Sequence, residues 1–161
     1  MEVRIVEHPA RVLVGMRMEM SLSDNRIPEI WRRFMPRRQE IEHRVSEELI
    51  SMRQHEPGFD IRRFNPATVF HQWAAVEVEK GGKVPEGMEM IEVPEGKYAV
   101  FLHRGGPATA GRSYSYIYGE WMPASGYVPA QRPSYEVMGA RYGDGGADSE
   151  EELWIAIEEE A

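Results

Sequence analysis

The chemistry the sequence offers first is one carboxylate in a short, largely apolar strand. In Arg132-Pro133-Ser134-Tyr135-Glu136-Val137-Met138, strand alternation puts Ser134, Glu136 and Met138 on one face and Tyr135 and Val137 on the other. Two further strand-like segments, around Trp73 and Trp154, offer aromatic rings for the same surface. An acid ringed by aromatic faces suits a flat, lipophilic cation, which gains both charge complementarity and cation–π contact. Other chemistries find no support. There is no cysteine, hence no thiolate, disulfide or cysteine metal site. His8, His43, His55, His71 and His103 lack the close spacing of metal ligands, and no metal or cofactor is expected. No Walker loop, dinucleotide fingerprint or nucleophile elbow is present.

The elements that position these residues follow from periodicity. Residues 2–20 read as strand, broken at His8-Pro9-Ala10, because proline cannot donate to a ladder. Ile27, Ile30, Trp31 and Phe34 recur at helical spacing, with Asp24 or Asn25 as the cap and Pro36 as the stop. Arg37 to Glu47 reads as a short second helical turn with Ile41 and Val45 inward. The basic run Arg32, Arg33, Arg37 and Arg38 would suit a phosphate or nucleic-acid patch, but Glu29, Glu40 and Glu42 dilute it, and a solvated helix face is the better reading. Leu49–Arg53 and Val69–Glu79 are strands; in the second, Phe70, Ala74, Val76 and Val78 oppose His71, Trp73, Ala75 and Glu77.

Residues 80–87 are linker. Then come strands at 88–93 and 97–103, joined by Pro94-Glu95-Gly96. A turn at Arg104-Gly105-Gly106-Pro107 enters a helix carrying Tyr114, Ile117, Tyr118 and Trp121, with Thr109 as its cap. Residues 123–129 read as loop, 139–148 as an acidic, glycine-rich loop, and 152–158 as the last strand.

The halves repeat each other. Ile30-Trp31-x-x-Phe34-Met35-Pro36 matches Ile117-Tyr118-x-x-Trp121-Met122-Pro123, and the strand from Trp73 matches the strand from Trp154. The fold class is therefore α+β: duplicated β-α-β-β units, about 1–80 and 88–161, within one domain of 161 residues. They share an eight-stranded antiparallel sheet surface with pseudo-two-fold symmetry. The helices lie on one face, with a ligand cleft at the centre. If the helices cover one face, Trp73 and Trp154 stand on the other, with Ala75 and Ala156 leaving room between them. His71 shares that face. Met16 and Met138 would pad the cleft.

With these stretches placed, the chain resembles the GyrI-like small-molecule-binding domain family, also met as the effector-binding domain of AraC- and MerR-type regulators. The resemblance is carried by Ile27 to Phe34, Gly87-Met88-Glu89, Val93 to Phe101, Gly119 to Tyr127 and Arg132 to Met138. It implies a central cleft for lipophilic, often cationic, aromatic compounds, with the buried acid matched by Glu136. Stacking would come from Trp73, Trp154, Trp31, Tyr118 and Trp121. The family domain fills the chain, so a stand-alone binder without a DNA-binding domain is expected. Some similar stand-alone members hydrolyse cyclopropane-type DNA-alkylating compounds. In that reading Glu136 is general base or electrostatic stabiliser, and Tyr118 positions water or protonates the leaving atom. A related haem-binding family shares the architecture, but no motif here points to haem.

Charge narrows the partners. A net charge of −8 at pH 7 argues against non-specific nucleic-acid or anionic-membrane binding and suits cations. A third reading takes the acidic runs Glu150-Glu151-Glu152 and Glu158-Glu159-Glu160 as a protein-interaction surface or enzyme inhibitor. No apolar run approaches the ~18 residues of a membrane span. No signal-peptide pattern opens the chain, so a cytoplasmic place is expected. No motif specifies an oligomeric state.

Overall fold

Alternating apolar residues make the sheet, and the two helical-period segments cover one side of it. The computed structural model describes residues 1–80, 82–106, 109–143 and 146–161. Gly81 of the linker, Pro107 of the helix-entry turn, and Asp144 and Gly145 of the acidic loop lie outside them. The described strands are β1 (Val3–His8), β2 (Arg11–Met20), β3 (Leu49–Gln54), β4 (Phe70–Val78), β5 (Glu89–Val93), β6 (Gly96–Arg104), β7 (Tyr127–Pro129), β8 (Ser134–Met138) and β9 (Glu150–Glu159). The helices are α1 (Ile27–Phe34), α2 (Ala110–Tyr116) and α3 (Met122–Ser125). None among the described residues is long and apolar enough to cross a membrane.

Eight strands run in the order β1-β6-β9-β8-β3-β4-β2-β5, with the short β7 paired to β9. Every named pairing is antiparallel. Exchanging β1 with β5, β2 with β6, β3 with β8 and β4 with β9 reverses this order onto itself, which is the pseudo-two-fold. Each half lends its first strand to the other half's edge, since β1 pairs β6 and β5 pairs β2. The central pair is β3–β8, with Ser51 opposite Glu136.

Packing divides the molecule into two sides. On the helical side, α1 covers Val14, Ala74, Val76 and Val78. The α2 segment covers Ala99, Phe101, Leu153, Ile155 and Ile157. On the other side, Leu13, Ile50, Trp73, Ala75, Tyr98, Tyr135, Val137, Trp154 and Ala156 form one continuous core. The strand alternation of 70–78 and 152–158 is as the sequence indicates.

Three local expectations change. Met35–Glu40 is a 3-10 turn, after which the chain is extended; Ile41 is buried, but Val45 is 53% exposed. The segment 123–129 is not plain loop: a π-helical turn at Ile117–Trp121 leads into α3, Gly126 closes it at φ 81°, and β7 follows. Pro123 has no N–H to give the preceding turn, and the widened turn just before it carries the helix past that gap. Thr109 does not cap α2; its Oγ1 lies 3.4 Å from the Gly106 carbonyl. At the start of α1 the side chain of Asn25 accepts a hydrogen bond from Ile27 N at 3.0 Å.

At Gly15 the backbone of β4 leaves no room for a side chain on β2. A Cβ there would lie 2.0 Å from the Ala74 carbonyl oxygen and 2.6 Å from Ala75 Cα. Both obstacles are backbone and cannot swing aside. Gly15→Ala is expected to cost about 3 kcal/mol, from forced separation of β2 and β4. Urea unfolding measures this, and an unchanged midpoint would show that the pairing is looser than described.

Candidate functional site

Neither helical-side cluster closes over the two central strands. On that side β3 and β8 present Ser51, Arg53, Ser134, Glu136 and Met138 between α1 and α2, as the register Ser51–Glu136 and Arg53–Ser134 requires. Glu136 is half-buried, and Tyr114, from α2, donates its hydroxyl to Glu136 Oε1 at 2.7 Å. One helical turn on, Tyr118 faces Ser134. Burial and the Glu136 charge hold the Tyr114 hydroxyl well above its ordinary range, so it is a firm donor. Burial raises Tyr118 as well, opposed by the nearby Ser134 side chain and by the Arg53 charge.

A second acid completes the site. Glu151 on β9 lies two residues before Leu153, the cross-strand partner of Glu136, so alternation turns it to the same side. It is 3% exposed, opposite His103, and its Oε1 has no hydrogen-bond partner among the described residues. Burial, then the neighbouring Glu136 charge, push Glu151 up to about 8. Burial thus favours a proton on Glu151 beside Glu136 and one negative charge on the pair at neutral pH. His103 is held apart from this exchange. Its Nε2 meets the Gly106 carbonyl at 2.8 Å and its Nδ1 meets Ser113 Oγ at 2.7 Å.

The sequence-predicted residues fall on two sides of the sheet. Glu136, Tyr118 and Met138 come together on the helical side. Met16 is there too, in the row Met16–Ala74–Ser51–Glu136, three strands from the acid. Trp31 packs against Phe34, and Trp121 packs edge-on to Phe101, so both flank the helices. Trp73, Trp154 and His71 lie on the opposite side. Trp73 and Trp154 are 2% and 6% exposed, leaving no open room between them. Trp154 stacks on Tyr135, and the Arg11 guanidinium sits 4.8 Å from its ring centre. Arg11 also donates to Tyr135 Oη at 2.8 Å and pairs with Glu77. Those rings already hold a cation of the chain's own. Trp73 Nε1 donates to Gln54 Oε1 at 2.9 Å.

The sequence reading missed Tyr114, Glu151 and Arg53 as site residues. The signals were present. Tyr114 stands four residues before Tyr118, and Glu151 keeps step with Leu153 and Ile155. The acidic run is split by alternation: Glu150 pairs with Arg104 and Arg141, Glu152 pairs with Arg4, and only Glu151 turns inward.

An antiparallel sheet with a polar, acid-centred strip between two helices is the build of a small-molecule-binding module. A family model described as the GyrI-like small molecule binding domain matches residues 1–158. The transcriptional regulator BrlR of Pseudomonas aeruginosa is 34% identical over 158 residues, covering 98% of this chain and 56% of that protein. The chain thus spans about half the length of that regulator. The structure of SAV2435 bound to tetraphenylphosphonium superposes with a TM-score of 0.71 at 15% identity, covering 98% of this chain and 94% of that one. EcmrR in a DNA complex superposes with a TM-score of 0.73 at 14% identity, covering 99% of this chain and 58% of that one. The chain belongs to the GyrI-like small-molecule-binding domain family.

The buried acid sets a pH dependence. Unfolded, Glu151 titrates near 4.5; folded, near 8. Between these values the native state holds the extra proton. The stabilisation is complete below about 4.5 and is lost as pH rises through about 8. Glu151→Gln stays neutral throughout. Its Tm is expected to match wild type at pH 5 and to exceed it by several degrees at pH 8.5. Parallel Tm curves at the two pH values would remove the protonated acid from the site.

Proposed function

We propose that the chain binds lipophilic, cationic aromatic small molecules in the strip between α1 and α2. Glu136 is the anionic anchor, Tyr114 and Tyr118 are ring faces, and Met138 is the adaptable floor. The observation that carries this reading is the half-buried Glu136, held by Tyr114 and a buried second acid between two apolar helix contacts. Tetraphenylphosphonium on SAV2435 is a ligand of the same chemistry on the same fold. Each ring against the cation contributes ~0.5–2 kcal/mol with little directional demand, which suits a broad ligand range. Trp31 and Met16 pack with α1 and Trp121 with the α2 segment, while Trp73, Trp154 and His71 hold the far side of the sheet. The two pseudo-repeats act as one domain, because the strip takes β3 from one and α2, β8 and β9 from the other. Its relation to a transcriptional regulator supports a cytoplasmic place for the domain's work.

A second reading has its own observation. A protonated carboxyl beside an ionised one is the division of labour a hydrolase needs. Glu136 would take the proton from water and Glu151 or Tyr118 would protonate the leaving atom of an electrophilic compound. Mass spectrometry of an added cyclopropane-type electrophile separates the two. Gain of one water requires the protein and Glu136 if the site is catalytic, whereas unchanged ligand with quenched Trp emission marks a binder.

The decisive titration uses dyes matched in shape but differing in charge. Wild type is expected to prefer the cation, and Glu136→Gln to weaken it ten- to a hundredfold, about 1.4–2.8 kcal/mol, while leaving the neutral dye unchanged. Affinity for the cation rises from pH 6 to 8.5 as Glu151 gives up its proton. Equal binding of both dyes by both proteins sinks the acid-centred site.

A further inference from the structure

A cavity of about 340 Å3 adjoins the Glu136 strip at Arg53 and Ser134. It lies between the segment after β3, the strand β5 and the connection from β7 to β8. Its apolar wall includes Phe59, Ile91 and Ala130, and Ile91 and Ala130 pack on the far-side aromatic core. Its size and lining are those of a site for a small organic molecule.

The cavity's charged groups give the ligand class. Most arginines of this acid-rich chain have a carboxylate within reach; Arg4, Arg11, Arg17, Arg26, Arg33, Arg37, Arg44, Arg62, Arg104 and Arg141 all do. Arg53 and Arg132 both line this cavity, and among the described residues neither is within 4.0 Å of a carboxylate. Arg132 is fixed. Its guanidinium lies 5.0 Å from the Tyr98 ring centre, its Nη2 donates to the Lys97 carbonyl at 2.5 Å, and a Cβ on Gly96 would overlap its Cζ. Yet its buried Nε has no hydrogen-bond partner. A guanidinium N–H can only donate, so an acceptor is missing. Arg53 is likewise braced, over Phe70 at 4.5 Å and Phe64 at 5.1 Å. Buried Nδ1 of His55 is also unpartnered, and that ring stacks on Phe59 at 4.3 Å. Burial, then the Arg53 charge, push His55 down to about 4, so at neutral pH it is an uncharged hydrogen-bonding group. Two acids, Glu56 and Glu92, also line the cavity, but both are exposed.

We propose that this cavity is a second ligand site, for a small aromatic carboxylate. The carboxylate would be received by Arg132 and Arg53 with His55 beside it, and the ring would lie on Phe59, Ile91 and Ala130. It adjoins the Glu136 strip at Arg53 and Ser134, is filled independently of it and is opposite to it in charge preference. A guanidinium–carboxylate contact supplies the missing acceptor in a bidentate geometry that a neutral amide cannot reproduce.

The test is calorimetric titration of the full chain with 2-naphthoate and, as the uncharged isostere, 2-naphthamide. Naphthoate is expected to bind at least tenfold more tightly than the amide. Arg132→Gln and Arg53→Gln should each lower naphthoate affinity at least tenfold. Arg132→Lys should recover part of it through charge alone. Glu136→Gln should leave naphthoate binding unchanged, and saturating tetraphenylphosphonium should not displace it. Circular dichroism checks that each variant is folded, and Arg53→Gln stands in if Arg132→Gln is not. The proposal is overturned if naphthoate fails to bind at millimolar concentration or if the amide binds equally well. It is also overturned if the folded arginine variants bind like wild type. Displacement by tetraphenylphosphonium overturns the separateness of the site, a failure distinct from that of the cation reading.

Discussion

Holding an anion between a sheet and two helices is the constraint on which the rest of this structure depends. A carboxylate moved from water into a protein interior costs several kcal/mol unless its lone pairs are met. Here Glu136 is met by the Tyr114 hydroxyl and by the proton on Glu151. The acid pair therefore carries one charge where two would repel each other in a low-dielectric setting. That arrangement needs α2 to place Tyr114 over β8, and β9 to run beside β8 in the register that pairs Glu136 with Leu153. A one-residue slip of β9 would send Glu151 to the opposite side of the sheet and leave Glu136 with an orphaned lone pair.

The sheet separates two chemistries that the residue types alone suggest are one. Rings and acid are all present in the sequence, but strand alternation assigns them to opposite sides. Trp154 and Tyr135 gather around Arg11, which is neutralised by Glu77, and so form a closed, self-satisfied core. Tyr114, Tyr118 and Glu136 gather where the two helix contacts stop. Aromatic rings that already have a cation serve stability. An anion whose partners are only hydroxyl and carboxyl protons remains available to an incoming charge.

The sequence made the fold legible because periodicity and repetition are local signals. Phe70 to Val78 alternates cleanly, and the two Met-Pro helix ends match across the halves. The site was half legible for the same reason. Glu136 stood out as an acid among apolar neighbours, but its partners were hidden in patterns read for another purpose. Glu151 was one of three consecutive acids, and only the pairing of β9 with β8 shows that the middle one points inward. Tyr114 was counted as a helix position, not as a hydroxyl. The placement of Trp73 and Trp154 beside the acid went astray at register: they share a side with Tyr135, not with Glu136, because Trp73 lies opposite Met52 and Trp154 opposite Tyr135. The departures at Val45 and Pro123 have another cause. A 3-10 turn and a π-helical turn shift the phase of the helical pattern, and spacing rules assume a constant phase.

The pseudo-symmetry gives the two central strands equivalent positions but unlike charges. Trp73 pairs with Met52, and Trp154 pairs with Tyr135. Matching the two tryptophans therefore matches Met52 with Tyr135, and the next residues, Arg53 with Glu136. The serines follow: Ser134 faces Arg53, and Ser51 faces Glu136. One scaffold position, used twice, carries a cation in one half and an anion in the other, each with a small hydroxyl residue opposite. A symmetric acid pair would repel across adjacent strands, about 5 Å apart. An Arg and a Glu here do not, and each is held by partners other than the other: Arg53 by Phe64 and Phe70, Glu136 by Tyr114 and Glu151. The consequence is polarity. On the proposed reading, a cation entering the strip would be drawn to the β8 side and repelled from the β3 side, so a duplicated fold with no directional preference of its own would acquire one. Arg53 also lines the cavity that adjoins the strip, and so the residue that would turn a cation toward Glu136 is also one that would receive an anion.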